Sequence, residues 1–161
     1  MLRKLGPWFV PLLAVVACGC HKPVKWTIRS ELRPDPVKIG EQYVSTCTIV
    51  GEVDKIGWVT VAPLVAPEFE VTMKDDGKGP DRQAGDGVFS LTGKPPEEAE
   101  AGQYEMEFVV YDKNGDVFYV PSFTILDKEG KTVLKEVTPK DGSGDKPGMV
   151  EFSSIVIVTV E

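Results

Sequence analysis

Four aspartates, Asp75, Asp76, Asp81 and Asp86, fall within twelve residues in the stretch VTMKDDGKGPDRQAGDGVFSL (Val71 to Leu91), interleaved with Gly77, Gly79, Gly85 and Gly87. Carboxylate oxygens are hard ligands and glycines let a backbone fold back on itself. Several of the four could therefore converge on Ca²⁺, which takes roughly six to eight oxygens. The spacing is not that of an EF-hand, because Gly77 and Gly79 stand at its third and fifth positions, where that loop needs Asp or Asn. A second reading needs no ion: Asp side chains cap nearby backbone N–H groups in Asx-turns while the glycines take left-handed conformations. The sequence leaves both open.

Little else is poised for chemistry. The single histidine, His21, precedes the first predicted strand and sits near the N terminus beside Cys18 and Cys20, too loosely placed to be held against a nucleophile or a metal. One His and the few cysteines assemble no zinc constellation. Gly77-x-Gly79 and Gly142-x-Gly144 lack the third glycine and the strand-to-helix setting of a nucleotide loop. A carboxylate pair for glycoside hydrolysis could be drawn from any acidic chain, so it carries no information here. No enzymatic activity is expected. Of the aromatic residues, most of which a sandwich needs for its interior, Tyr111 and Tyr119 flank an Asn-Gly turn and are the candidates for a ligand surface.

The 161 residues suffice for one domain with a core. The formal charge is −7, and −9 without residues 1–17, which carry Arg3 and Lys4 and no acid. That balance argues against nucleic acid and against electrostatic adhesion to anionic lipid. At the N terminus two basic residues precede an apolar run from Trp8 to Ala17, broken by Pro11. It is about half the length a membrane span needs, and reads as an export signal.

The segment Val15-Val16-Ala17-Cys18 resembles the lipobox of bacterial lipoproteins, although that family prefers Leu at the position of Val15 and Ala or Ser at that of Val16. The resemblance implies cleavage before Cys18, a thioether-linked diacylglycerol on it, and permanent membrane attachment through its acyl chains. In a double-membraned bacterium Gly19 would favour the outer membrane. The alternatives are lipidation at Cys20 or an ordinary cleaved signal. With Cys18 acylated, Cys20 and Cys47 could pair in an oxidising compartment, or Cys47 could remain a buried free thiol.

Thirteen prolines and sixteen glycines, spread along the chain, favour short strands. Strands are predicted at Trp26–Leu32, Gln42–Val50, Trp58–Leu64, through Phe69, Val71 and Met73, at Val88–Thr92, Thr132–Val137 and Phe152–Val160. A hairpin joins Tyr104–Val110 to Val117–Leu126 across Asn114-Gly115. Apolar residues on both parities of Ile155–Val158 predict a strand covered on both sides. Thr138–Gly148 reads as a polar loop.

The loop KDDGKGPDRQAGDGVFS (Lys74 to Ser90) is similar to a recurrent signature of bacterial immunoglobulin-like domains on exported proteins. Val53-Asp54 with Gly57-Trp58-Val59, Gly102-Gln103-Tyr104 and Tyr111 to Gly115 resemble that family's flanking turns and strands, so the likeness spans residues 40–127. The expected fold is all-β, an antiparallel immunoglobulin-like β-sandwich of about eight or nine strands. The expected organisation is a signal peptide (1–17), a tether (18–24), the sandwich (25–127) and C-terminal strands (128–161) belonging to the same domain or to an appended hairpin. The expected protein is a lipid-anchored, non-catalytic binding or scaffolding module of the cell envelope with an envelope protein as partner. The alternative is a carbohydrate-binding or adhesive surface protein whose loop is stiffened by calcium.

Overall fold

The computed structural model of the chain describes residues 24–138 and 146–161. The signal segment, Cys18, Cys20, His21 and the stretch 139–145 of the expected polar loop lie outside the described residues. β1 (Trp26–Arg33) alternates as the sequence predicts, turning Trp26, Ile28, Ser30 and Leu32 inward. It pairs antiparallel with β2 (Tyr43–Val50), which adds Cys47 and Ile49 to the interior. β3 (Ile56–Pro63), β4 (Val71–Met73), β5 (Val88–Gly93) and β6 (Gly102–Asp112) follow. Then come β7 (Tyr119–Val120), β8 (Phe123–Leu126), β9 (Thr132–Val137), β10 (Val150–Glu151) and β11 (Ser153–Val160).

Two sheets face each other, one in the order β5-β2-β1-β8-β9 and the other β11-β6-β3-β4, with β10 and β7 as a small third ladder. Without β7 to β10, the orders β5-β2-β1 and β11-β6-β3-β4 are those of an immunoglobulin-like sandwich, strands E-B-A against G-F-C-C′. The extra strands sit between β6 and β11, which is why the described residues hold eleven strands and not eight or nine. Burial explains the seam. Val59 and Val61 of β3, Met73, Phe108, Val110, Phe152 and Val158 meet Ile28, Cys47, Ile49 and Phe89 from the opposite sheet, all nearly sealed from solvent. Ser30 Oγ and Ser154 Oγ, 2.8 Å apart, join the sheets by one buried hydrogen bond.

The predicted long hairpin is not what forms. Its turn is present: Asp112 N donates to Asp116 O at 2.9 Å, and Gly115 N to Asp112 O at 3.2 Å. Only Gly115 takes a positive φ, 94°, so this is not the two-residue turn in which Asn and Gly share that conformation. The Asp112 carboxylate supplies the remainder, its Oδ1 accepting from Asn114 N at 2.8 Å and Asp116 N at 3.1 Å. Pairing then stops at Tyr111–Val117 and Phe118 N to Val110 O. Beyond Pro121 the chain crosses to the other sheet, where β8 runs parallel to β1 and Phe123 packs on Phe152 at 4.9 Å between ring centroids. On the side of β6 away from β3, the neighbour along its length is β11.

Two further strands depart from expectation. Of Phe69, Val71 and Met73 only Met73 is buried; Phe69 lies in a 3-10 turn, Pro67–Phe69, and β4 is a three-residue edge. Ile155 and Ile157, predicted to be covered, are 53% and 63% exposed because β11 is itself an edge and its second face is the outer one.

Cys47 is a free thiol with no exposed surface, and burial pushes its pKa from 9.0 up to about 12. Below pH 9 both folded and unfolded chains keep the proton. Between 9 and about 12 only the unfolded chain releases it, so this group's contribution to stability is lost as pH rises through that window. Thiol reagent at pH 8 should label Cys47 only on unfolding. A Cys47→Ala variant should lose stability less steeply above pH 9, by about 1 kcal/mol per pH unit, in urea melts at stepped pH.

Candidate functional site

The aspartate loop spans the two sheets. Its neck is the bridge between Lys74 and Ser90, where Ser90 N donates to Lys74 O at 3.1 Å, linking the end of β4 to β5. Inside the neck the carboxylates staple the backbone. Asp75 accepts from Gly85 N through Oδ1 and from Gly87 N through Oδ2, the latter at 2.8 Å. Asp81, only 3% exposed, accepts from Gly77 N and, at 3.0 Å, from Gln83 N. Asp76 and Asp86 cap the N–H groups two residues on, those of Lys78 at 3.1 Å and Val88 at 2.9 Å. The glycines are needed where they stand: Gly87 has φ +86°, and a Cβ there would meet Ile49 O at 2.5 Å, the oxygen lying against the loop's return leg. That leg is held to β2 by Ile49 N donating to Gly87 O at 2.8 Å.

Both sequence readings find support in this geometry. The Asx-turn reading accounts for the carboxylate hydrogen bonds just described. The ion reading finds one oxygen each from Asp75, Asp81 and Asp86 within 4.8 Å of one another, while Asp76 is not part of that group. A carboxylate has about four lone-pair sites, so one accepted N–H per oxygen leaves capacity for a cation. None of the ion pairs found among the described residues engages these three carboxylates.

The aromatic candidates are occupied. Tyr111 is half-buried and stacks on Trp58 of β3, with centroids 5.7 Å apart and planes 15° apart. Tyr119 is half-buried, and the Lys146 ammonium lies 4.7 Å over its ring. Sequence reasoning missed the exposed apolar edges. One comprises Ile155 and Ile157 with Val133 and Leu134 of β9; the other, at the far side of the second sheet, comprises Val65, Phe69 and Val71. The signal was present in Ile155–Val158, where apolar character on both parities marks either double cover or a sticky edge.

The molecule is thus an all-β sandwich in an immunoglobulin-like strand order, with an aspartate-stapled crossover loop and, among the described residues, an apolar edge that is only partly paired. No protein-family model matches the chain, and no curated protein does. Among the described residues no helix is long and apolar enough to cross a membrane.

Proposed function

We propose that the protein is a bacterial lipoprotein, tethered to the cell envelope by an acylated Cys18, whose sandwich is a non-catalytic module that binds another envelope protein. The observation that carries the binding reading is the open β11 edge, with Ile155 and Ile157 in solvent. Natural sheets usually blunt such edges with charge, proline or a covering segment, and an unblunted one invites an added strand. Two experiments test the two halves. Cys18→Ala should move the protein from the membrane pellet to the soluble fraction; unchanged sedimentation would end the anchoring half. A photo-cross-linking residue at position 157, in cells, should trap one discrete envelope protein that the same residue at position 94 does not; no adduct at either position would end the binding half.

A second reading, a carbohydrate-binding or adhesive surface protein with a calcium-stiffened loop, draws support from the convergence of Asp75, Asp81 and Asp86. The paired and covered rings of Tyr111 and Tyr119 weigh against its sugar platform. If calcium binds, a concentration a hundredfold above its Kd should add ~2.7 kcal/mol to stability relative to chelator. Equal melting in excess Ca²⁺ and in EDTA removes the ion.

A further inference from the structure

The free edge of β11 borders a groove of about 300 Å³ beside the β8–β9 hairpin, lined by Ile125, Val133, Ile155 and Ile157 among others. Which backbone groups face that edge follows from a neighbour that already uses part of it. Val37 N donates to Thr159 O at 2.8 Å and Glu161 N donates to Val37 O at 2.9 Å, so the odd-numbered residues of β11 direct their N–H and C=O away from β6. By the alternation of an antiparallel ladder, Ile155 and Ile157 do the same. Among the described residues no backbone group pairs with them. Val37 to Ile39 therefore fill the C-terminal half of the edge. Its N-terminal half, Ser154 to Val158, is open to the described residues over roughly 17 Å.

The surroundings say what would fit. Among the described residues Lys128 is the only basic one lining the groove, against Glu31, Asp35, Asp127 and Glu129; it is paired with Asp35 at 3.0 Å, and Glu31 with Arg33, outside the lining, at 3.0 Å. On the outer face Glu107 and Glu105 stand directly beside Ile155 and Ile157 in the β6 register. A second copy of the chain carries the same excess of acids at the same groove, so pairing edge to edge would bring two net-negative rims together. Resting on the binding-module reading above, we infer that this half-edge takes an extended segment of a partner protein in which apolar residues alternate with lysine or arginine. The segment would add a strand in line with Val37, its backbone pairing with Ile155 and Ile157 and its cations meeting the acidic rim.

The probe is a fluorescein-labelled heptapeptide of alternating lysine and valine, titrated by anisotropy against the full chain purified in detergent. The expected result is saturable binding that shifts the amide resonances of Ile155 and Ile157. Methylating alternate peptide nitrogens, replacing lysine by glutamate, or introducing Ile157→Lys should each weaken it by about tenfold or more. Val65→Lys, the same charge change on the opposite edge, is the matched control and should leave binding within about twofold. Binding that ignores backbone methylation, or that Val65→Lys weakens as much as Ile157→Lys, would reduce the effect to bulk charge and overturn the proposal. So would sedimentation showing a dimer that Ile157→Lys dissolves, since the edge would then belong to a second copy. A cross-link captured in cells from another surface, with no peptide binding here, would overturn this assignment and leave the binding-module reading standing. Peptide binding without any envelope adduct would do the reverse.

Discussion

Phe152→Ala should lower the unfolding free energy by about 3–5 kcal/mol, read from the urea midpoint with an unchanged slope. The ring has no exposed surface and is the hub of the aromatic cluster, with its centroid 5.5 Å from Trp26, 4.9 Å from Phe123 and 6.4 Å from Phe118. Trp26 and Phe123 meet it edge to face, a geometry worth about 0.5–1.5 kcal/mol per pair beyond the area buried. The backbone at this position is pinned as well: Phe152 N donates to Phe118 O at 2.9 Å, and its O accepts from Val110 N at 3.1 Å. The surrounding strands therefore cannot collapse into the space the ring leaves, and the cavity term adds in full. The control is Phe69→Ala, which removes a ring 62% exposed and should change stability by less than about 0.5 kcal/mol. A loss below about 1 kcal/mol for Phe152→Ala would mean that the inserted strands β7 to β10 are not held by this cluster.

That cluster also marks where sequence and structure part. β1 was legible because Trp26, Ile28 and Leu32 obey a two-residue period that local burial alone enforces. The loop was legible because Asp and Gly do their work within a few residues of chain. The route of the chain after Asn114-Gly115 was not. A turn signal fixes the reversal, but what the returning strand pairs with is decided by Phe123 reaching Phe152 and Trp26 lying opposite Phe123, contacts distant in sequence. The prolines at 34 and 36 end β1 as expected, yet nothing local tells that Val37 will then pair with Val160 of the other sheet. Ile155 and Ile157 show the same limit in another form. Hydrophobicity on both faces reports that water is unfavourable there, and it does not report whether this chain or another supplies the cover.

The loop itself yields the second large effect. Asp75→Ala should cost about 2–4 kcal/mol, because one carboxylate holds two backbone donors, Gly85 N and Gly87 N, across a ten- to twelve-residue separation. Hydrogen bonds to a charged acceptor contribute about 1.5–3 kcal/mol each, and the two donors are not equally replaceable by water. Gly85 is exposed and can recover a solvent partner; Gly87 is buried against Ile49 and cannot. Asp75→Asn keeps one acceptor oxygen and should fall about midway. Asp76→Ala removes a single exposed cap on Lys78 N and should cost under about 1 kcal/mol. Hydrogen exchange locates the damage: in Asp75→Ala the amides of Gly87 and Ile49 should lose protection together, because Ile49 N donates to Gly87 O and the loop's return leg is one unit with β2. Equal losses for Asp75→Ala and Asp76→Ala would contradict the stapled geometry. A loss that appears only in calcium and vanishes in chelator would instead identify the carboxylate's main partner as the ion and not the backbone.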